Sequence, residues 1–96
     1  MTYTDLQQAL RVLGLGERAS LKEIKARHRE LVKRYHPDAG NVIDLENIRQ
    51  VNVAYRTLSE YISEYRFSFA KDEFFEQNPE ERILEQFADD PVWGKR

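Results

Sequence analysis

The residues best suited to chemistry in this 96-residue chain stand in one short stretch, KRYHPDAGN, residues 33–41. His36 and Asp38 flank Pro37 there, at the point where a basic helical pattern breaks off. A His–Asp pair can orient a general base, but such catalysis also needs a nucleophile or activated water, an oxyanion site and a pocket. No glycine-rich turn or serine-containing elbow lies nearby, so the chain is not expected to be an enzyme. Zinc wants three or four ligands at suitable spacing. There is no cysteine, and the only other histidine, His28, lies two turns earlier on an apolar arc. His28 is expected to be a packed or boundary residue, and neither a metal nor another cofactor is expected. A third use fits the residue types better. Pro37 fixes the backbone and removes a donor, so the turn is ordered at low entropic cost. Asp38 then presents a carboxylate that can seek an arginine or a polar network on a partner. This describes a docking element.

The elements that hold this turn are helical. Thr4-Asp5-Leu6-Gln7 has capping-box form, and Leu6, Leu10 and Leu13 make an apolar stripe that Gly14 ends. Ser20-Leu21-Lys22-Glu23 is a second capping box, opening a helix to about Tyr35 that Pro37 stops. Asp44 can cap a third helix with the stripe Ile48, Val51, Tyr55, Leu58 and Ile62. Asn78-Pro79-Glu80-Glu81 is a further start, with proline at the first helical position and acids in the first turn. Residues 69–77 are expected to be helical as well. With few glycines and prolines and no alternating β-branched runs, the expected class is all-α.

On the second helix, Leu21, Ile24, His28, Leu31, Val32 and Tyr35 share an arc about 100° wide, as a core-facing stripe requires. Lys22, Lys25, Arg29 and Lys33 occupy the adjacent arc with no acid among them. On the far side, Glu23 with Arg27 and Glu30 with Arg34 have the favourable i,i+4 order of an ion pair. The unpaired cations therefore form one face leading to His36.

Overall charge is −2, with a sequence pI near 5.7, but its distribution is uneven. Residues 22–34 hold six Lys/Arg against two Glu, whereas residues 72–90 hold eight Asp/Glu against one Arg. Such separation implies two surfaces with different electrostatic roles, or one surface made to cover the other. The acidic balance, and the lack of a polar base-reading set beside the lysines, argue against nucleic-acid binding. No apolar run approaches the ~20 residues that span a bilayer, and no secretory signal pattern is visible. A cytoplasmic protein with no membrane partner is expected.

The run LGLGERASLKEIKARHRELVKRYHPD, followed by IRQVNVAYRTLS, resembles a J domain, the module shared by DnaJ-type co-chaperones. The match rests on Leu13-Gly14-Leu15, Ala19, Ile24, Leu31, Tyr35, His36-Pro37-Asp38, Ala54-Tyr55 and Leu58, and covers about residues 4–59. The tripeptide alone is weak; at the end of a basic amphipathic helix with correctly spaced flanking helices it is specific. The resemblance implies a hairpin of the second and third helices, with a short first helix beside it and residues 36–38 at its tip. It also implies binding to a DnaK-type heat-shock chaperone. Lys22, Lys25, Arg29 and Lys33 would meet an acidic surface of that chaperone, with His28 as a further candidate contact. The loop His36, Pro37 and Asp38 would then stimulate the partner's ATP hydrolysis. The alternatives are a J-like scaffold that has lost chaperone activation, and a helical nucleic-acid-binding module.

This sequence departs from the family pattern in several places. His28 stands where an aromatic is frequent, Glu30 where a base is frequent, and Ile48 where phenylalanine is usual. Ala39-Gly40 follows Asp38, and Ile62-Ser63-Glu64 replaces a basic run after the third helix. The glycine/phenylalanine linker and cysteine-rich region of full DnaJ proteins are absent. Residues 1–68 are thus expected to form the J domain. Residues 69–96 form an acidic, aromatic-rich C-terminal helical extension, expected to pack on or beside it. Phe69, Phe74, Phe75, Ile83, Leu84, Phe87 and Trp93 are many large apolar groups for a solvated tail. The extension is the expected site for a client or scaffold, with Trp93 as its anchor.

Overall fold

A computed structural model of the chain describes residues 1–36 and 43–89. The expectations for Pro37, Asp38 and Trp93 fall outside the described residues. Five helices and no strand are present among those described: α1 (Tyr3–Leu13), α2 (Leu21–Tyr35), α3 (Leu45–Ser63), α4 (Lys71–Gln77) and α5 (Pro79–Asp89). The chain divides into two compact units, Met1–Tyr65 and Arg66–Arg96.

In the first unit the local signals set the helix ends. The cap of α1 is Thr2, not Thr4 as the sequence suggested. The Thr2 hydroxyl accepts from the Asp5 N–H at 3.1 Å, and the Asp5 carboxylate accepts from the Thr2 N–H at 2.9 Å. The two overlapping boxes are alike in form, but the reciprocal partner of Thr2 is the charged Asp5, whereas that of Thr4 would be the neutral Gln7, and a charged acceptor makes the stronger hydrogen bond. The Thr2 backbone N–H, with its hydroxyl second, holds the Asp5 carboxyl below its ordinary pKa. That contribution is therefore complete above the ordinary Asp pKa and fades as pH falls through the lowered one. For α2 the expected box is present: Glu23 N–H donates to Ser20 Oγ at 3.1 Å, and Ser20 N–H to Glu23 Oε1 at 3.2 Å. Asp44 caps α3 as expected, accepting from the Asn47 N–H at 3.1 Å.

Gly14 ends α1 in the left-handed region at φ 68°. Its N–H reaches the Arg11 carbonyl at 3.1 Å, and the Leu15 N–H reaches that of Leu10 at 2.9 Å, the Schellman arrangement. A Cβ here would sit 3.0 Å from Arg27 Nη2. Gly14→Ala should therefore lower stability by about 1–2 kcal/mol, the usual cost of a side chain in this conformation. A thermal melt by circular dichroism should show a Tm lower by roughly 4–15 °C; an unchanged Tm would contradict the assigned turn.

All three helices of this unit feed one core. Ala9 and Leu13 of α1, Ile24 and Leu31 of α2, and Val51, Ala54 and Leu58 of α3 are buried. Leu6, Leu10, Val12, Leu15, Ala19, Val32, Tyr35, Tyr55 and Ile62 pack around them. α3 is the central element, in contact with both α1 and α2. The α2–α3 hairpin is antiparallel: Asp44 N–H donates to the Tyr35 carbonyl at 2.9 Å, and His28 faces Asn52 and Tyr55 further along. Ile48, in place of the usual phenylalanine, is half-buried at the start of this seam.

In the second unit, α4 begins at Lys71, two residues after the expected start, and Asn78 separates it from α5. The Asn78 N–H and Nδ2 both donate to the Phe74 carbonyl, at 2.9 and 3.0 Å. Lys71 and Glu85 tie the two helices at 2.9 Å. No hydrophobic side chain of this unit is buried among the described residues, and Phe69 is 93% exposed. No described helix is long and apolar enough to cross a membrane.

Candidate functional site

The site is built on α2. At about 100° per residue, Lys22, Lys25, Arg29 and Lys33 fall within an arc of roughly 80°, and about 16 Å of helix separates the first from the last. All four are exposed. None has an acidic partner within salt-bridge distance among the described residues. The stripe is thus an open line of positive charge, as its sequence spacing implied.

The neighbouring flank is wired differently from the expected pattern. Glu23 does not pair with Arg27, because its carboxylate is engaged in the Ser20 capping box. Arg27 turns to Glu30 at 2.9 Å, and its Nε donates to the Leu13 carbonyl at 2.9 Å. That carbonyl is one of those left open at the end of a helix, so Arg27 joins α2 to α1. Arg34 also approaches Glu30, at 3.7 Å. Two arginines therefore flank Glu30, which leaves the lysine stripe uncompensated.

At the tip end, the His36 N–H donates to the Val32 carbonyl at 2.9 Å and closes α2, with the side chain exposed. The bond between Tyr35 and Asp44 ties together the two ends of the connection. His36 and Lys33, three residues apart, stand together at this end. Pro37 and Asp38 lie outside the described residues, as does Trp93.

His28 is half-buried, as a boundary residue should be. Its ring stacks on Tyr55, centroids 4.1 Å apart and planes 14° from parallel. Its Nε2 lies 2.9 Å from Asn52 Oδ1. His28 sits about 60° around α2 from Lys25, at the edge where the cationic stripe meets α3. Asn52 was not singled out in the sequence, and no local signal could have found it: the contact spans 24 residues.

Among the described residues, no group of three or more His, Asp or Glu side chains is placed to hold a metal. An open groove of about 570 Å³ lies between α4 and α5, lined by Lys71, Asp72, Phe75, Arg82, Glu85 and Gln86. It contains no nucleophile–base pair, and the Lys71–Glu85 ion pair joins its two sides.

A family model described as the DnaJ domain matches residues 9–65. The chaperone protein DnaJ of Shouchella clausii is 36% identical over 69 residues, covering 71% of this chain and 18% of that protein. The DnaJ proteins of Caldicellulosiruptor saccharolyticus and Bacillus licheniformis are 43% identical over 51 residues and 46% over 50. Each of these two alignments covers 51% of this chain and 13% of the relative. The chain thus spans under a fifth of the length of these curated relatives. No solved structure matches it.

Proposed function

The chain belongs to the DnaJ domain family, and from that membership we propose that it is a co-chaperone which docks on a DnaK-type heat-shock chaperone and stimulates its ATP hydrolysis. The observation that carries this reading is the exposed, uncompensated line of Lys22, Lys25, Arg29 and Lys33, leading to His36 at the tip of the hairpin. In this reading the four cations attract and align an acidic surface of the partner. Asp38, beyond Pro37, engages the partner's switch machinery, and hydrolysis itself takes place on the chaperone. His28 adds a contact beside the stripe.

The arrangement around Glu30 favours this reading over a scaffold that has lost activation. An acid where the family often carries a base would weaken the face if it lay free beside the lysines. Here Arg27 and Arg34 neutralise it along its own flank. In the same reading residues 1–68 form the J domain and residues 69–96 recruit a client or scaffold, with Trp93 as an anchor.

The docking role is tested by neutralising the stripe. Lys25→Gln combined with Arg29→Gln should weaken binding to the ATP-bound chaperone about tenfold at low salt, mostly through the association rate. The gap between variant and wild type should narrow as salt rises and the Debye length shrinks. Isothermal titration at two salt concentrations measures both. Equal affinity of variant and wild type at low salt would refute the role given to the stripe.

A further inference from the structure

One residue on α3 is conspicuous for its type and place. Leu45, the first residue of the helix, is 67% exposed, and Ile43 just before it is 42% exposed. Between them Asp44 is held on both sides. Its N–H donates to the Tyr35 carbonyl at 2.9 Å, and its carboxylate accepts from the Asn47 N–H at 3.1 Å and Nδ2 at 2.7 Å. The aliphatic pair is therefore presented on an anchored backbone, so ordering it on binding costs little. A first helical turn favours acids or proline, and a leucine there gains nothing for the helix cap.

Helical geometry places Leu45 relative to the cationic stripe. Leu45 and Asn52 are seven residues apart, two turns, and so share one flank of α3 to within about 20°. Asn52 meets His28 across the seam, and His28 borders Lys25. Leu45 thus lies on the flank of α3 that adjoins the basic side of α2, at the end of the hairpin where Lys33 and His36 stand.

Resting on the co-chaperone reading above, we infer that the docking face has two parts: the cationic stripe of α2, and an apolar anchor on α3 formed by Leu45 with Ile43. The occupant is a small apolar depression on the same DnaK-type partner, next to the acidic surface that the stripe meets. The two parts have separable signatures. Attraction between exposed charges is screened by salt, whereas burial of an aliphatic side chain is not weakened by it.

The test compares Leu45→Ser with Lys25→Gln, using the full chain and an ATP-bound DnaK-type chaperone from the same organism, at 50 mM and 300 mM salt. Serine suits the start of a helix, and the removed side chain is mostly in water, so the thermal melt of Leu45→Ser should match wild type. Its affinity should fall about tenfold at both salt concentrations, as partial burial of one leucine implies. Lys25→Gln should lose affinity mainly at the lower salt. If Leu45→Ser binds within twofold of wild type while Lys25→Gln is weakened, the apolar anchor is refuted and the co-chaperone reading stands. A Leu45→Ser defect that disappears at 300 mM salt refutes it too. If the wild-type chain binds in no nucleotide state, both fall together.

Discussion

Asp38→Asn should abolish stimulation of a DnaK-type chaperone's ATPase while leaving the chain folded. The substitution nearly preserves size and removes one negative charge. In the proposed complex that charge meets a cationic or strongly polar site on the partner. Truncating one member of such a pair leaves the other desolvated and unpaired, at a cost of about 2–5 kcal/mol. Single-turnover hydrolysis should therefore show at least a roughly 30-fold loss of stimulation at matched concentrations. The cationic stripe is untouched in this variant, so long-range attraction to the partner should persist, and association rates should change little. A melting curve equal to wild type would separate the effect from unfolding. Full stimulation by Asp38→Asn would remove the acid from the mechanism.

The largest effect on stability should come from Leu13→Ala. Leu13 is 0% exposed at the end of α1, and its carbonyl receives Arg27 from α2. A buried leucine cut to alanine loses its transfer energy and leaves a cavity, for about 2.7–5 kcal/mol. At about 0.05–0.15 kcal/mol per residue, a unit of this size has roughly 3–10 kcal/mol in all. The variant's urea midpoint should therefore fall by at least about a quarter of the wild-type value. A loss under about 1 kcal/mol would mean that α1 does not close the core as described. Leu45→Ser is the natural contrast, a leucine lost from the surface with no change in the melt.

Much of this architecture can be read from local spacing, and the misreadings share a physical cause. The Ser20–Glu23 box, the Gly14 stop and the Asp44 cap are set by residues within five positions of one another, so sequence displays them directly. The lysine stripe is visible for the same reason, since helical periodicity alone places its members on one face. Arg27 was misassigned because spacing offered Glu23 as a partner, while two competitors decided the outcome. The Ser20 cap took Glu23, and the Leu13 carbonyl, 14 residues away, took Arg27. The choice between Thr2 and Thr4 turned on which capping partner carried a charge. The seam of His28 with Asn52 and Tyr55 depends on how α2 and α3 meet, and no pattern local to either helix encodes it. The same holds for the anchor at Leu45, whose significance comes from the neighbours that the hairpin gives it.

Activation of a DnaK-type ATPase by this chain can be read by titrating the full wild-type chain into a single-turnover ATP hydrolysis assay. The hydrolysis rate should rise with protein concentration, saturate, and need more protein to reach half its maximum as salt is raised. A rate that stays at the chaperone's own value, at concentrations where binding is saturated, would contradict activation and leave a J-shaped binding module without an activating loop.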